Sequence, residues 1–332
     1  MQATIVKDEA VDMEFGTGVM TITPWHDATD FEIAERHNLD KEQIIDEKGK
    51  LLSVAQEFEG QHISKAREQI VEKLKGKGLL SKIDESYTHR IATNSRGGGV
   101  IEPQIKEQWF IDVNKKFTLE KSNIEGISDK EEVSLKDIMK KTVSSGQIQI
   151  LPANFEKTYF HWIDNLRDWN ISRQLWYGHR IPIWYKGKEV YCGIEAPKGE
   201  GWEQDPDTLD TWFSSGLWTF STLGWPNKTK DFETYHPTDL METGYDILTF
   251  WVIRMMLMTG YVLDEVPFQK VYLHGLVRDK LGRKMSKSLD NGIDPIEMSK
   301  KYGTDALRLS LVVGSSPGND MRIYDEKIAG YR

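Results

Sequence analysis

One part of the sequence restricts the fold more than any other: a long apolar segment followed closely by a β-type segment. From residue 245 to residue 258, apolar side chains occupy nearly every helical face, which predicts a buried helix. A β-type run at residues 270–275 follows, then a basic loop, then a helix that Asp294 caps, Pro295 opens and Gly303 stops. Thr304 is predicted to cap the next helix. This succession is typical of an α/β fold with a mostly parallel sheet.

The first 88 residues are predicted to form a smaller α/β module. Residues 10–24 are typical of extended segments interrupted at Gly16 and Gly18. Thr29 and Glu32 have the spacing of a capping box, which predicts a short helix ending near residue 37. A second helix is predicted at residues 63–75, where apolar side chains repeat on one face and glycines follow. The turn-rich residues 94–99 mark the predicted boundary.

Charge and cysteine content exclude several kinds of function. The net charge of −9 argues against a surface that binds nucleic acid everywhere, because affinity for phosphate depends largely on lysine and arginine. The single cysteine, Cys192, excludes an intramolecular disulfide and a zinc site with paired thiolates. We therefore expect no structural zinc and a cytoplasmic protein. No apolar run approaches the roughly 20 residues that cross a bilayer, so no membrane segment is expected.

The most specific feature is a basic loop that contains Lys284, Met285, Ser286, Lys287 and Ser288. Two lysines three positions apart, with serine hydroxyls between and after them, can neutralise charge that develops on pyrophosphate during attack at an α-phosphate. Lysine suits this role because it is a point charge on a flexible stem. The alternative is an ordinary solvated basic loop, which is what most isolated pairs of this kind are.

The loop matches the Lys-Met-Ser-Lys-Ser motif, and on it the chain resembles the class I aminoacyl-tRNA synthetases. Within them it looks most like the valyl group, through the segments LHGLVRDKLGRKMSKSLDNGIDP, ISRQLWYGHRIPIWY, DTLDTWFSSGLWTFSTLGWP and ETGYDILTFWVIRM. Leucyl and isoleucyl members carry a Gly-Ser-Asp-Gln type sequence where this chain has residues 244–247, although these two specificities stay as alternatives. The resemblance implies the second half of a Rossmann-like catalytic domain with part of an inserted editing β-barrel-like domain.

The resemblance also implies roles for individual residues. Catalysis of adenylate formation would fall to Lys284, Lys287, Ser286 and Ser288. ATP would contact Gly244, Asp246, His274, Gly275 and Lys287. The valine side chain would contact Trp212, Ile247 and Trp251, of which Ile247 and Trp251 share one helix face by their spacing. Core packing is the alternative for the tryptophans, and a structural histidine is the alternative for His274.

Residues 15–30 resemble the later part of an editing domain that hydrolyses threonine wrongly attached to tRNA. A hydrophobic pocket rejects threonine only about a hundredfold against valine, the established value for valyl enzymes, so a second hydrolytic site is needed. The resemblance implies that Asp30 holds the α-amino group of the mischarged residue, with Thr23, His26 and Asp27 nearby. The alternative is that the two aspartates only favour the dipole of the following helix. Thr21 stands where relatives have a lysine, which weakens the expectation of editing.

The first catalytic motif of the family, His-x-Gly-His, is absent from this sequence. We therefore expect an internal piece of a synthetase that is inactive alone, divided into an editing part (1–88), a catalytic part (89–275) and a loop and tRNA-stem part (276–332). The expected partners are ATP with Mg²⁺, valine and tRNA(Val), and an N-terminal half encoded separately is a further expected partner. The rival interpretation is a non-catalytic RNA-binding or assembly fragment.

Overall fold

The structure is a computed structural model that describes residues 4–94 and 97–332, apart from the side chain of Ser288. The chain divides into two compact units, of which the first ends at Glu107 and the second begins at Gln108. Ser95 and Arg96, within the turn-rich stretch that marks the predicted boundary, lie outside the described residues. The functional division at residues 88 and 275 stays a prediction.

The first unit contains two α-helices and little regular β-structure. Its elements are α1 (Ala28–His37), a 3₁₀-helix (Ser53–Phe58) and α2 (Ile63–Gly76). The prediction of a helix near residues 63–75 is therefore confirmed. Residues 10–24 lie in turns and irregular backbone, and the β-structure described for this unit consists of isolated bridges, so none of these residues belongs to a strand.

Helix α1 begins differently from the prediction. Asp27 caps it by accepting hydrogen bonds from the backbone N–H groups of Thr29 at 2.8 Å and Asp30 at 3.1 Å. The predicted capping box of Thr29 and Glu32 is therefore wrong, because Thr29 already lies inside the first turn. An aspartate is as good an N-cap as a threonine or better, and Asp27 has the extended backbone that a cap requires.

The second unit contains fourteen short strands and nine α-helices among the residues that the structure describes. The strands are β1 (Phe110–Ile111), β2 (Phe117–Leu119), β3 (Glu131–Val133), β4 (Gln149–Leu151), β5 (Trp169–Asn170), β6 (Ser172–Arg173), β7 (Ile183–Lys186), β8 (Glu189–Cys192), β9 (Glu203–Gln204), β10 (Thr208–Leu209), β11 (Thr238–Gly244), β12 (Phe268–His274), β13 (Val277–Arg278) and β14 (Met321–Arg322). The helices are α3 (Leu135–Ser144), α4 (Asn154–Asp164), α5 (Thr211–Gly216), α6 (Trp218–Ser221), α7 (Lys230–Tyr235), α8 (Ile253–Val262), α9 (Pro295–Tyr302), α10 (Thr304–Val312) and α11 (Asp325–Ala329).

A parallel three-stranded sheet forms the centre of this unit. Its strand order is β11–β12–β4, and α8 connects β11 to β12. The inner strand β12 buries Phe268, Val271 and Leu273 in the main hydrophobic core, which includes buried residues of α3 and α8. Burial of a parallel sheet under helices is the usual arrangement in α/β proteins. The predicted β-run at residues 270–275 and the parallel α/β architecture are confirmed.

The segment that precedes the core helix is not a regular α-helix. Residues Tyr245–Ile247 form a 3₁₀ turn, Leu248–Val252 form a π-helical turn, and the α-helix proper begins at Ile253. The prediction of a buried helix is correct for the residues from Ile253 onwards and wrong in helix type before them. Ile247 marks the break, since its backbone (φ −112°, ψ 17°) departs from helical geometry.

The carboxyl-terminal helices form a small separate core. Asp294 caps α9 through a 2.7 Å hydrogen bond from the backbone N–H of Ile296, as predicted. Gly303, with φ 94°, precedes α10 and makes Thr304 its first residue, so the prediction that Thr304 is the cap is wrong. Across the described ranges, no helix combines the length and apolar character needed to span a membrane.

Candidate active site at the carboxyl edge of the parallel sheet

Strands β11 and β12 end side by side, and their last residues are paired in register, Gly244 opposite His274. Ligands of α/β proteins bind beyond the carboxyl ends of parallel strands. Four predicted ATP-contacting residues lie at or just after these ends: Gly244, Asp246, His274 and Gly275. A Cβ atom on Gly244 would lie 2.7 Å from Asp246 Oδ1, so the absence of a side chain keeps this carboxylate at the strand end.

The basic loop reaches the same edge of the sheet. Lys284 Nζ lies 2.8 Å from Asp246 Oδ2, and the Lys284 side chain is 61% exposed. Ser286 caps the 3₁₀ turn Lys287–Leu289, because its hydroxyl accepts a hydrogen bond from the backbone N–H of Leu289 at 3.3 Å. The predicted residue Ser288 has a side chain outside the described part of the structure. Lys287 is exposed and begins this turn.

Both ring nitrogens of His274 already have neighbouring protein partners. Its Nδ1 lies 2.7 Å from the carbonyl oxygen of Gly275, and its Nε2 lies 3.2 Å from Glu242 Oε1. These contacts agree with the structural alternative for the ring. A contact from this position to adenine would then come from the backbone, and the ATP-binding role stays a prediction.

Asp320 is a partly exposed carboxylate at this edge that sequence reasoning missed. It accepts hydrogen bonds from the backbone N–H of Leu276 at 2.8 Å and the Tyr245 hydroxyl at 3.0 Å, and it pairs with Arg278. Burial alone would raise the pKa of Asp320, but the hydrogen bonds from Leu276 and Arg278 outweigh it and hold the pKa below its usual value. Asp320 therefore ties the ends of β11 and β12 to the strand that leads into the basic loop. The turn-forming run Gly318-Asn319-Asp320 was the available signal.

Gly275 gives a direct test of how closely this edge is packed. A Cβ atom at Gly275 would lie 1.7 Å from the backbone oxygen of Asn319. We expect Gly275→Ala to lower the free energy of unfolding by about 1–3 kcal/mol, because the backbone of one segment must move. Urea denaturation of the purified chain measures this value.

Gly292→Ala is the matched control, because no atom lies within 4 Å of its added Cβ. We expect the control to unfold at the parental urea concentration. Equal midpoints for the two variants would show that the 275 and 319 segments are not in contact.

The residues predicted to contact the valine side chain are all half-buried. Trp212 stacks on Phe250 with ring centroids 5.9 Å apart. Trp251 donates its indole N–H to the carbonyl oxygen of Ser215 at 3.0 Å, which joins the π-helical turn to α5. Ile247 belongs to a different turn from Trp251, so the argument that the two share one α-helical face is wrong. Full core burial is also absent for the three residues, since each keeps some exposed surface.

In the first unit, Asp30 contacts two other predicted editing residues, Asp27 through its backbone N–H and Thr23 through its side chain. Asp30 is only 7% exposed, and its Oδ2 accepts hydrogen bonds from the backbone N–H of Thr23 at 2.7 Å and the Thr23 hydroxyl at 3.4 Å. Asp27 is the N-cap of α1, a structural position at which its charge also favours the helix dipole, as the alternative states. The editing roles of Thr23 and Asp30 stay predictions.

His26 is held by backbone groups on both ring nitrogens. Its Nε2 accepts from the N–H groups of Ile44 at 3.1 Å and Ile45 at 3.2 Å, and its Nδ1 lies 3.3 Å from the carbonyl oxygen of Pro103. This pattern fits a neutral ring that donates from Nδ1. The buried ring therefore connects its own segment to the backbone at residues 44–45 and at Pro103, and we interpret His26 as a structural residue.

Metal ligands do not converge at the candidate site. In the residues that the structure describes, there is no group of three His, Cys, Asp or Glu side chains that could hold an ion. The carboxylates at the sheet edge already face cations or a histidine: Asp246 faces Lys284, Asp320 faces Arg278 and Glu242 faces His274. This donor set does not fit a metal bound by the protein alone.

The parallel sheet, with the lysine loop at its carboxyl edge, makes the second unit an α/β protein. The family model described as tRNA synthetases class I (I, L, M and V) matches residues 19–200 and 189–324. The chain belongs to this family.

Two curated relatives are valine–tRNA ligases. The chain is 48% identical to that of Bacillus licheniformis over 98% of its own length and 35% of the relative, and 46% identical to that of Clostridium tetani over 99% of its own length and 36% of the relative. The chain thus spans about a third of the length of these relatives. The free form of Mycobacterium tuberculosis methionyl-tRNA synthetase is similar with a TM-score of 0.46 at 15% identity, over 91% of this chain and 52% of that one.

Proposed function

We propose that the chain is part of a valine–tRNA ligase that activates valine with ATP and transfers it to tRNA(Val) in the cytoplasm. The observation that carries this proposal is the identity of 46–48% with valine–tRNA ligases over 98–99% of the chain. The candidate site supports it, because the lysine loop and the strand ends lie within contact distance through Lys284 and Asp246.

The proposed reaction is attack by the valine carboxylate on the α-phosphate of ATP. Asp246 accepts hydrogen bonds from the ribose hydroxyls. These hydroxyls replace Lys284 Nζ, which lies 2.8 Å from the Asp246 carboxylate in this structure. Lys284 is then free to reach the phosphates, where it and Lys287 neutralise the charge on departing pyrophosphate. Ser286 supports Lys287 by capping its turn, and Gly244 leaves room for the sugar.

Magnesium, in this proposal, arrives on the phosphates of ATP. The carboxylates at the sheet edge face Lys284, Arg278 and His274, so they do not form a vacant oxygen cage. Mg²⁺ commonly keeps its waters and binds through substrate phosphates. We assign the chain's own share of charge neutralisation to the two lysines of the loop.

Discrimination of valine is assigned to Trp212, Ile247 and Trp251. Trp251 is held by the carbonyl oxygen of Ser215, and Trp212 is held by Phe250, so both rings have fixed positions. Rigid aromatic surfaces that are half exposed are suited to excluding a side chain one methylene longer than valine. Such a difference is worth about 1–3 kcal/mol.

Editing of threonyl-tRNA is assigned to the first unit, as part of a β-barrel-like editing domain in the complete enzyme. Asp30 supports this assignment, because it is a buried carboxylate with a second oxygen beyond the one that Thr23 occupies. Such an oxygen can accept hydrogen bonds from an ammonium group. Thr21 stands where relatives have a lysine, which lowers the expected rate of editing.

The test uses a full-length valine–tRNA ligase in which this chain replaces the matching segment, called the restored enzyme below. We expect it to exchange pyrophosphate into ATP in the presence of valine, with a kcat/KM about a hundredfold above that with threonine. Leucine and isoleucine are measured in parallel. If exchange were faster with isoleucine or leucine than with valine, that amino acid would be the substrate in place of valine.

The 332-residue chain alone is expected to show no valine-dependent exchange above background. The reason is that the sequence lacks the His-x-Gly-His motif that contacts ATP from the other half of the catalytic fold. The restored enzyme serves as the positive control at equal concentration. Exchange by the chain alone at more than a few per cent of the restored rate would show that the second half of the site suffices.

The second candidate function is an assembly or RNA-binding fragment without catalysis of its own. The observation behind it is that the first catalytic motif of the family, His-x-Gly-His, does not occur in these residues. Activity of the chain on addition of a separately expressed N-terminal half would distinguish a split enzyme from an inert fragment.

A further inference from the structure

We infer that Asp279 and Asn291 are a positioning pair that fixes the backbone of the catalytic loop, so that Lys284 and Lys287 meet the phosphates of ATP in one geometry. This inference rests on the proposed function. Neither residue touches the proposed substrate position; both act through the backbone between them. Their sequence positions, before and after the loop, gave no indication of the contact.

Asp279 is the fixed point of this arrangement. It is 7% exposed, and its Oδ1 accepts hydrogen bonds from the backbone N–H groups of Leu281 at 3.0 Å and Arg283 at 2.8 Å. Its Oδ2 accepts from Arg283 Nε at 2.8 Å and Asn291 Nδ2 at 2.9 Å. The hydrogen bond from Asn291 is the main reason that the pKa of Asp279 falls to about 2, and Arg283 adds to it against the effect of burial. The carboxylate is therefore ionised throughout the range in which an enzyme works.

Asn291 passes this constraint to the loop. Its Oδ1 accepts a hydrogen bond from the backbone N–H of Ser286 at 2.9 Å, and its Nδ2 also lies 3.3 Å from the carbonyl oxygen of Lys284. One amide side chain thus holds the backbone on both sides of Met285. Met285 itself packs on the carboxyl-terminal core of Ala306, Leu307, Ile323 and Ile328. The backbone that carries the two lysines is therefore held at three consecutive residues. Asn291 holds Lys284 and Ser286, and the carboxyl-terminal core holds Met285.

The expected benefit is in the transition state and not in substrate binding. A loop lysine held in place loses less conformational freedom when charge develops on pyrophosphate. Misplacement of a catalytic group by about 1 Å can cost roughly a hundredfold in rate. If the pair were only structural, its loss would lower the stability of the protein and would not lower kcat selectively over KM.

The kinetic test uses Asn291→Ala and Asn291→Asp in the restored enzyme. Both remove the amide donor to Asp279 and to the carbonyl oxygen of Lys284, and the alanine also removes the acceptor for Ser286. We expect kcat for valine-dependent exchange to fall roughly 10–100-fold, with the KM for valine changed less than about twofold. Asn291→Asp keeps the shape of the side chain, so it carries the test should Asn291→Ala not fold.

The exchanged pair Asp279→Asn with Asn291→Asp supplies the rescue. Asn at 279 keeps an oxygen for the N–H groups of Leu281 and Arg283 and donates to the new carboxylate, which can still accept from Ser286. We expect the double variant to recover at least tenfold over Asn291→Asp alone. Asp290→Asn is the neighbouring control, because it changes an exposed side chain next to Asn291 without touching Asp279 or Asn291, and parental kinetics are expected.

Amide hydrogen exchange on the 332-residue chain keeps this inference separate from the proposed function. The Ser286 amide should exchange at least about tenfold faster in Asn291→Ala than in the parent, because its acceptor is gone. Unchanged exchange at Ser286, or parental kcat in an active restored enzyme, would overturn the inference, as would a double variant no faster than Asn291→Asp. An inactive restored enzyme overturns the proposed function, and the amide exchange then decides whether the pair holds the loop.

Discussion

Lys287→Ala in the restored enzyme is expected to slow valyl-adenylate formation on the order of 10²–10³-fold, with the KM for valine changed less than about twofold. The two loop lysines differ in their surroundings. Lys284 already faces the carboxylate of Asp246 at 2.8 Å, whereas the described residues include no ion-pair partner for Lys287. Lys287 therefore carries the charge that is available when pyrophosphate departs. Exchange at saturating and limiting valine measures both quantities.

Two variants make the Lys287 result specific. Lys287→Arg keeps the charge with a different shape and should lose less activity than the alanine variant. Lys300→Ala removes an exposed lysine from α9 and should leave the rate unchanged, which controls for the loss of one positive charge. An increase in the KM for ATP or valine equal to the fall in kcat/KM, with kcat preserved, would reassign Lys287 to ground-state binding.

The elements that could be predicted are those whose sequence signal lies within the element itself or in the residue next to it. The cap of α9 by Asp294, the strand β12 and the helix α2 follow from spacing along the chain, and each is confirmed. The start of α1 was misplaced because Asp27 and Thr29 are both good caps, and backbone geometry chooses between them. Caps compete within about 1 kcal/mol of each other, so composition cannot rank them.

Contacts between distant residues could not be predicted. Asp279 and Asn291 are separated by twelve positions, and Tyr245 and Asp320 by seventy-five. Which polar side chains share a partner depends on how β13 and β14 pair, and that pairing has no periodic signature in strands of two residues. The π-helical turn at Leu248–Val252 was missed for a related reason, since its apolar composition suits an α-helix equally well. The motif of the lysine loop could therefore be identified from the sequence, whereas the contacts that hold the loop in place could not.

Asp30→Asn in the restored enzyme is expected to lower hydrolysis of preformed threonyl-tRNA on the order of 10–100-fold and to leave valine activation within about twofold. Removing the carboxylate from a buried pair with an ammonium group costs about 2–5 kcal/mol. Asparagine still accepts a hydrogen bond from the ammonium group and recovers part of this, so about 1.4–2.8 kcal/mol is lost, which is the 10–100-fold range. Asparagine keeps an oxygen for the backbone N–H of Thr23, which Asp30 accepts at 2.7 Å. The substitution therefore removes the charge and retains the local hydrogen bond.

Asp30→Ala separates the structural contribution. It leaves the Thr23 N–H without its acceptor in a site that is 7% exposed, so we expect a loss of about 1–3 kcal/mol in stability in addition to the loss of hydrolysis. Glu35→Gln on the exposed part of α1 removes one charge from the same helix and should change neither property by much. Deacylation and thermal unfolding are measured on each variant. Parental deacylation by Asp30→Asn, together with a destabilised Asp30→Ala, would make Asp30 a structural residue, because only the hydrogen bond to Thr23 would then matter.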